Sequence, residues 1–598
     1  MNEAVSYGYY ATNLQYVTIS GSTFDHNTGS GAYFGAYDNY GPGSYGFAGH
    51  IVSITDSDFS HNGADGLTAY AEATGENGRA EQYFSIYYSN FSNNARNGFN
   101  DFNYAHDGQY NPGYPCFFVQ GTTGGCAIVR ASTTVIGSTF NDNAYSGIYI
   151  GSNATRYGTI YSQAGHGGAP SLYVVGSTIS GNSYAGIAMP GSAVKYSYLS
   201  QTIVIDSTKI THNGTDGTYF FGGPVGTIPQ GGLIVFANAK YQSFNIENVY
   251  VQNGSSISDN KGVGITLAGQ ALGNYIQFDS LSVENSTVSG NYTGVVIENL
   301  SLGSFYTGQK FQSVDSTFAN NLIGSSGFVP KYEGSGVATL MFAKYTQYVE
   351  QAASSSGSTF SGNEGTGLAT YFAGGANYQT YQDISSTHDS FAGNGDGGLT
   401  VNFNNKYTGT SATNYNAHQT VYLEGSAFSA LSGTYSARIS AYADGTTMSQ
   451  LVYVYNDADG HANSFTGGDM GLFVYGRTAD DGTLAANMLV QDSKFDSSGV
   501  GIQFVQLGDT YRPTAQIDVN GNTFTGHTYY GFFAYAGYAD QVINIQGNSF
   551  TNPGGSYGID GVARNTSIQT IDVHTNTQTG GTYYYFNADG TSTQNITY

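Results

Sequence analysis

Tryptophan is absent from this 598-residue chain, cysteine occurs twice, and lysine and arginine together number only 17. Each scarcity excludes something. Against those 17 bases stand 41 Asp and Glu, for a formal charge of -24. Nucleic-acid phosphates require a basic surface, and an anionic membrane leaflet attracts one, so neither is expected as a partner. No apolar run approaches the roughly 20 residues of a spanning helix, so no membrane span is expected. The opening stretch MNEAVSYGYY lacks the basic and apolar regions of a secretory signal. That leaves a mature or partial chain, or another export route. Charged residues make up only 10% of the chain while aromatics reach 15%, the reverse of a solvated disordered composition.

The two cysteines, Cys116 and Cys126, share the segment PGYPCFFVQGTTGGC. In an extracellular protein they could close a local disulfide, and they could equally remain free thiols. A structural zinc site would need two more ligands, and none is close by.

What is abundant is glycine, tyrosine and phenylalanine: 85, 53 and 35 residues. No Gly-X-Y period accompanies the glycine, which excludes collagen. Gly, Ser, Thr, Asn and Tyr are mediocre or poor helix formers, so long helices are not expected. These residues instead build a repeat. Gly137 to Ile150 reads GSTFNDNAYSGIYI, and the same unit returns as STFDHNTGSGAYF from Ser22, STISGNSYAGI from Ser177, STFSGNEGTGL from Ser358 and NTFTGHTYYGFF from Asn522. Such self-similarity is the signature of a stacked array.

The apolar residue of each unit serves as its anchor. The anchors are Phe24, Phe59, Phe91, Phe140, Ile179, Ile210, Ile257, Val288, Phe318, Phe360, Phe391, Phe428, Phe465, Phe495, Phe524 and Phe550, with a degenerate seventeenth at Gln578. Successive anchors lie 26 to 49 residues apart, averaging about 35, within the range of known repeat architectures. The unit is constant and the connections vary.

Two strand signals recur per repeat. One precedes and includes the anchor, as in HIVSITDSDF (His50 to Phe59) and QIDVNGNTF (Gln516 to Phe524). The other follows a glycine, as in GIYI and GLFVY. A polar corner of the HN, NN or DN kind separates them, where Asn and Gly accept left-handed backbone. Stacking like over like at about 4.8 Å per coil would give an array on the order of 80 Å long. Three residues past the anchor stands Asn27, Asn62, Asn94, Asn143, Asn182, Asn213, Asn260, Asn291, Asn321, Asn363 or Asn394, an expected ladder. In the later units Leu431, Gly468, Ser498, His527 and Pro553 replace it. The longest connections, Asn100 to Ala127, Gly151 to Pro170, Thr218 to Gly231 and Gly324 to Ala343, are expected to project as loops from one side.

This unit resembles the coil of the right-handed parallel β-helix of the pectate-lyase-like superfamily, in its parallel β-helix repeat form, over nearly the whole chain. Bacterial surface proteins and autotransporter passenger domains of that kind share its Gly/Asn/Ser/Thr-rich, acidic, cysteine-poor character. The resemblance implies an all-β chain: a single long right-handed parallel β-helix, a solenoid of about 17 coils with variable Gly/Tyr-rich loops. Residues 1–598 would form one continuous domain, with 100–127 as an inserted loop. The family includes lyases, hydrolases, tail spikes, adhesins and filaments, so the resemblance says little of function.

Catalytic chemistry is hard to find. A glycosidase needs two carboxylates facing across the scissile bond, and Asp480-Asp481 sit together in a connection. Gly165-His166-Gly167 resembles the Gly-His-Gly motif of polygalacturonases, whose Asp pair precedes the His and whose basic motif follows it; neither arrangement occurs here. Asp457, Asp459 and His461 in NDADGH could hold a hard cation such as calcium, although Gly468 stands where a calcium loop has its last carboxylate. Asp56, Asp58 and Asp142 read as solvated corner residues. His26, His61 and His212 share one corner position, and only His26 and His61 belong to adjacent coils.

The tyrosines are expected to divide between the core and an exposed interaction surface. Neither end of the array carries an amphipathic cap, which suggests either a fragment of a longer rod or head-to-tail stacking of copies. The expectation is a non-enzymatic extracellular or cell-surface protein, a fibre, filament or adhesin component needing no cofactor. Its partners would be itself, cell-surface glycans or other surface proteins. A polysaccharide lyase or hydrolase, or a carbohydrate-binding tail-spike-like module, is the alternative.

Overall fold

A computed structural model describes residues 2–6, 12–39, 46–75, 78–106, 127–161, 170–215, 218–219, 228–273, 276–323, 334–406, 416–431, 433–496, 498–551 and 557–598. The chain divides into two compact units, one over Met1–Gly308 and one over Gln309–Ile323 and Tyr332–Tyr598. Each is built the same way: a right-handed parallel β-helix whose coils run through three parallel sheets, the coils of Phe24, Phe59 and Phe91 reaching the third only by isolated bridges.

One coil shows the logic. Ala185–Val194 lies in the first sheet, Tyr198–Asp206 in the second and Lys209–Thr211 in the third. The next coil repeats them as Gly231–Lys240, Phe244–Gln252 and Ser256–Ser258, paired parallel and in register. Parallel strands need crossover connections, and here each strand is the crossover for the other two. Along the second-sheet strand every other side chain is buried, the period of a strand with one face on a core.

The anchor does not belong to the strand ahead of it, as the sequence pattern suggested. Second-sheet strand Phe47–Thr55 ends before Asp56, whose φ is 48°, and Phe59 sits beyond that bend on the third sheet. A left-handed residue recurs three places ahead of nearly every anchor: Tyr88, Gly137, Ser207, Asn285, Asp315, His388. Alternating polarity continues through the bend, so periodicity alone could not reveal it.

The third sheet stacks its anchors ring on ring. Phe59, Phe91 and Phe140 follow at centroid spacings of 4.8 Å within 5° of parallel. In the second unit the column runs Phe318, Phe360, Phe391, Phe428, Phe465, Phe495, Phe524 and Phe550, at 4.7 to 5.1 Å. Each buried ring contributes about 1.5–3 kcal/mol relative to exposure.

The asparagine ladder is internal. Asn143 Nδ2 donates to Asn182 Oδ1 at 2.9 Å and to the Phe91 carbonyl at 2.9 Å, while its backbone N–H also donates to Asn182 Oδ1. Side-chain bonds of the same kind link Asn27, Asn62, Asn94, Asn143, Asn182, Asn213, Asn260 and Asn291 in the first unit, and Asn321, Asn363 and Asn394 in the second. A second ladder, unseen in the sequence reading, runs two residues ahead of the anchor, where Ser138 N–H donates to Ser177 Oγ at 3.1 Å. In the later coils this position becomes Asn463, Asn522, Asn548 and Asn576, and Asn522 Nδ2 donates to Asn548 Oδ1 at 3.0 Å. Asparagine thus enters the second ladder in four of the six coils that lack it in the first, while Ser426 and Ser493 keep serine there.

Gly147, the glycine that opens GIYI, lies inside the strand Ser146–Thr155 rather than in a turn. Its role is close approach: a Cβ there would stand 2.8 Å from the Gly186 carbonyl oxygen and 3.0 Å from Asn182 Nδ2. The strand beginning at Ser146 therefore presses directly on the next coil.

The long connections do not leave from one side. In the first unit one falls between the first-sheet strand Phe99–His106 and the second-sheet strand Ala127–Ile136. Another separates Gly158–Tyr161 from Leu172–Val175, both paired with Ala127–Ile136 in the second sheet. A third joins Lys209–Thr211 to Gly231–Lys240. Asn100 to His106 and Ala127 are themselves strand, so the insertion expected at 100–127 is narrower than the sequence suggested.

Candidate functional site

Of the metal-ligand candidates, Asp457 and His461 lie together, Asp459 is exposed outside their cluster, and His388 joins them from 69 residues earlier. Asp457 opens a tight turn in which its N–H donates to the His461 carbonyl (3.1 Å) and Gly460 N–H donates to the Asp457 carbonyl (3.0 Å). Asp457 Oδ1 accepts the His461 N–H at 2.7 Å. Oδ2 is left facing two imidazoles: His461 Nδ1 lies 2.5 Å away, and His388 Nε2 is in direct hydrogen-bonding contact. The carboxylate is 3% exposed, the rings 45% and 67%. Burial would raise the Asp457 carboxyl, but hydrogen bonds from His461 and His388 outweigh it and hold the group below the usual carboxylate range. The hydrogen bond to Asp457 raises His461 in turn. Sequence proximity could not supply His388, because only stacking brings its corner near the turn.

A second cluster joins Asp25, His26 and His61. The two imidazoles stack at 5.1 Å and 6°, and Asp25 lies 2.8 Å from His26 Nδ1 and 3.3 Å from His61 Nδ1. All three are exposed. His212 shares the left-handed corner conformation (φ 57°) in a later coil. Asp56 and Asp142 are exposed left-handed corner residues as expected. Asp58 accepts a hydrogen bond from Asn90 Nδ2 at 2.9 Å. Asp480 and Asp481 are exposed in the turn closed by the Gly482 N–H to Ala479 carbonyl bond. Cys116, Cys126 and His166 lie outside the described residues.

The sequence reading missed the polar column inside the second sheet. In the second unit Gln351, Gln382, Gln419 and Gln450 are buried and linked amide to amide at 2.8 to 2.9 Å. In the first unit the same kind of column holds Gln201, Glu247 and Asp279, also fully enclosed. Among the described residues neither oxygen of Glu247 nor Oδ2 of Asp279 has a hydrogen-bond partner, and Asp279 Oδ1 accepts from Gln277 Nε2 at 2.6 Å. Burial pushes both carboxyls well above their ordinary values, and Glu247 is raised further by Asp279. A signal existed. Gln201, Asp279, Gln351, Gln382 and Gln419 each stand nine residues ahead of an anchor.

Tyrosine shares the core with phenylalanine only rarely, as where Tyr184 packs in one cluster with Phe236. Among the described residues only Tyr184 joins the buried apolar set, because a phenol needs a partner for its hydroxyl when enclosed. Among the described residues fourteen of the twenty-one exposed large apolar side chains are tyrosines, with Tyr16 at 73% and Tyr88 at 64%. Several repeat from coil to coil: Tyr157 stacks on Tyr196 at 5.2 Å and 8°, and Tyr422 on Tyr453 at 5.1 Å and 10°. Among the described residues no helix is long and apolar enough to cross a membrane.

Comparison of the sequence with protein-family models and with curated proteins finds no match.

Proposed function

We propose that this chain is a non-catalytic structural β-helix of a cell surface, part of a fibre, filament or adhesin, with the outward tyrosines as its contact residues. The observation that carries the reading is the sorting of aromatics: phenylalanine forms the internal column while tyrosine dominates the exposed apolar surface. Large, stiff side chains with a polar tip gain contact area at small entropic cost. Stacked pairs such as Tyr422 and Tyr453 already cover one another's faces. They suit edge-on and hydroxyl contacts to protein better than the flat stacking a sugar ring uses.

Self-association by stacking is supported by open strand edges. Thr577–Thr579, Thr582–Ala588 and Thr593–Thr597 each pair on one side only among the described residues, as do Asn2–Ser6 and Thr12–Ser20. A second copy, or a continuation of the same array, would pair those edges.

Negative-stain imaging and sedimentation at low and high concentration test the proposal. Concentration-dependent end-to-end particles, or adhesion to cells that Tyr→Ser substitutions at Tyr422 and Tyr453 weaken, are expected. Compact monomers at every concentration that bind neither cells nor glycans would overturn it. So would turnover of an acidic polysaccharide in an activity screen with and without calcium.

A further inference from the structure

Three coils meet at one corner of the second unit. His388, three residues ahead of anchor Phe391, is held left-handed (φ 55°), and its N–H donates to the Glu424 carbonyl of the next coil at 2.9 Å. In that next coil the equivalent corner position is Gly425, φ 57°. One coil further on, ahead of Phe465, comes the Asp457–His461 turn.

Gly425 decides whether the outer two can touch. A Cβ at that position would lie 2.7 Å from His388 Cδ2 and 3.4 Å from Asp457 Oδ2. Neighbouring coils stand about 4.8 Å apart, so a side chain on the middle coil would fill the space through which His388 reaches the carboxylate two coils away. With glycine there, His388 Nε2, His461 Nδ1 and a carboxylate oxygen of Asp457 converge within 4.8 Å of one another. The two rings stand perpendicular, 5.8 Å apart. The carboxylate is walled in while both rings face solvent. Asp457 Oδ1 is fixed by the His461 N–H, which leaves Oδ2 as the ligating atom.

We infer that His388 Nε2, His461 Nδ1 and Asp457 Oδ2 bind a divalent transition-metal ion of the zinc class, clasping three consecutive coils at this corner. Two imidazoles and one carboxylate are the donors such ions prefer, at bond lengths near 2.0–2.2 Å. Calcium demands six to eight oxygens, and this turn offers one aimed carboxylate, since Asp459 is exposed and outside the cluster. Tetrahedral bonds of that length set ligand atoms roughly 3.3 Å apart, so small outward shifts of the two exposed rings admit the ion. Three protein ligands on one side leave the solvent side for water. Metal binding requires neutral imidazoles and therefore competes with protons.

The full chain, stripped with chelator, is titrated with Zn²⁺ against a colorimetric competitor and with Co²⁺ by visible absorption. The cluster at Asp25, His26 and His61 could take ions of its own, so the reading is a difference in stoichiometry. The wild type is expected to bind one more equivalent than either His388→Ala or His461→Ala. It should also melt at a higher temperature with Zn²⁺ than without, and a tenfold excess of Ca²⁺ should not displace the ion. Gly425→Ala keeps every ligand and is expected to weaken the same site at least tenfold. Apo melting curves and circular dichroism show whether each variant is folded, and His461, on an exposed turn, is the substitution least able to disturb the coils. Equal stoichiometry in the wild type and in the folded variants overturns the proposal, as does displacement of the bound ion by Ca²⁺.

Discussion

Glu247 and Asp279 occupy the same register position on adjacent second-sheet strands, both enclosed in the interior of the first unit. Two carboxyls a strand spacing apart, without a basic partner among their hydrogen bonds, are held in the protonated form by burial. Burial also raises Asp101 to about 7 and Glu298 to about 7. These groups bind protons in the folded chain that the unfolded chain has released above about pH 4. Stability is then greatest at acid pH and is lost as pH rises through the folded values. His50, lowered by burial, opposes this below its ordinary value. The melting temperature is expected to fall from pH 5 to pH 8, each titrating carboxyl contributing a slope of up to about 1.4 kcal/mol per pH unit. The neutral pair Glu247→Gln with Asp279→Asn is expected to flatten that slope. A wild-type melting temperature that climbs over the same range would contradict the assignment.

His527 reverses the sign. It replaces the ladder asparagine in its coil, lies buried with Nδ1 3.0 Å from Ser498 Oγ, and is pushed down to about 4 by burial. The unfolded histidine takes a proton near 6.5, so this group favours the folded state above that pH and costs stability as pH falls from about 6.5 toward 4. His527→Asn, which restores the residue of the earlier coils, is expected to remove that acid-side loss, read as a smaller drop in melting temperature between pH 6.5 and 4.5.

Asn182 satisfies three groups at once: the backbone and side-chain N–H of Asn143, and the Phe140 carbonyl through its own Nδ2. Asn182→Ala orphans all three inside the core and is expected to cost at least about 2 kcal/mol. Asn182→Asp keeps the shape but loses the donor, and should be comparably damaging at neutral pH. Denaturant unfolding of the two variants is the measurement. A change below about 0.5 kcal/mol would mean the ladder contributes nothing net.

Phe391 lies between Phe360 and Phe428 at 4.7 and 4.8 Å. Phe391→Ala opens a cavity in the column, with an expected loss of about 3–5 kcal/mol. Phe391→Leu should cost less, because the first unit already carries Ile179, Ile210, Ile257 and Val288 at this position.

Gly147→Ala drives a methyl group against the Gly186 carbonyl and Ile179 Cγ2, both 2.8 Å from its position. A loss of about 1–3 kcal/mol is expected. Gly29→Ala meets nothing within 4 Å and should stay within about 0.5 kcal/mol of the wild type, so the pair separates close packing from a general intolerance of alanine.

The anchors, the ladder asparagines and the parallel β-helix were legible in the chain itself, because a stacked array forces like onto like and writes its contacts as periodicity. The polar column went unread although alternation places Gln351 on the face of Val349 and Ala353, and Asp279 on that of Leu281 and Val283, because polar side chains on a strand read as solvent-facing. The bend at Asp56 left no trace in the alternation, since left-handed backbone changes direction without changing polarity, although glycine such as Gly137 holds the same place in other coils. Three-dimensional stacking alone decided the rest. It joined His388 to Asp457 across Gly425, set Glu247 on Asp279, and turned tyrosine outward while phenylalanine filled the column. Those relationships depend on which coil lies over which and which way a side chain faces, and variable connection lengths erase both from the linear sequence.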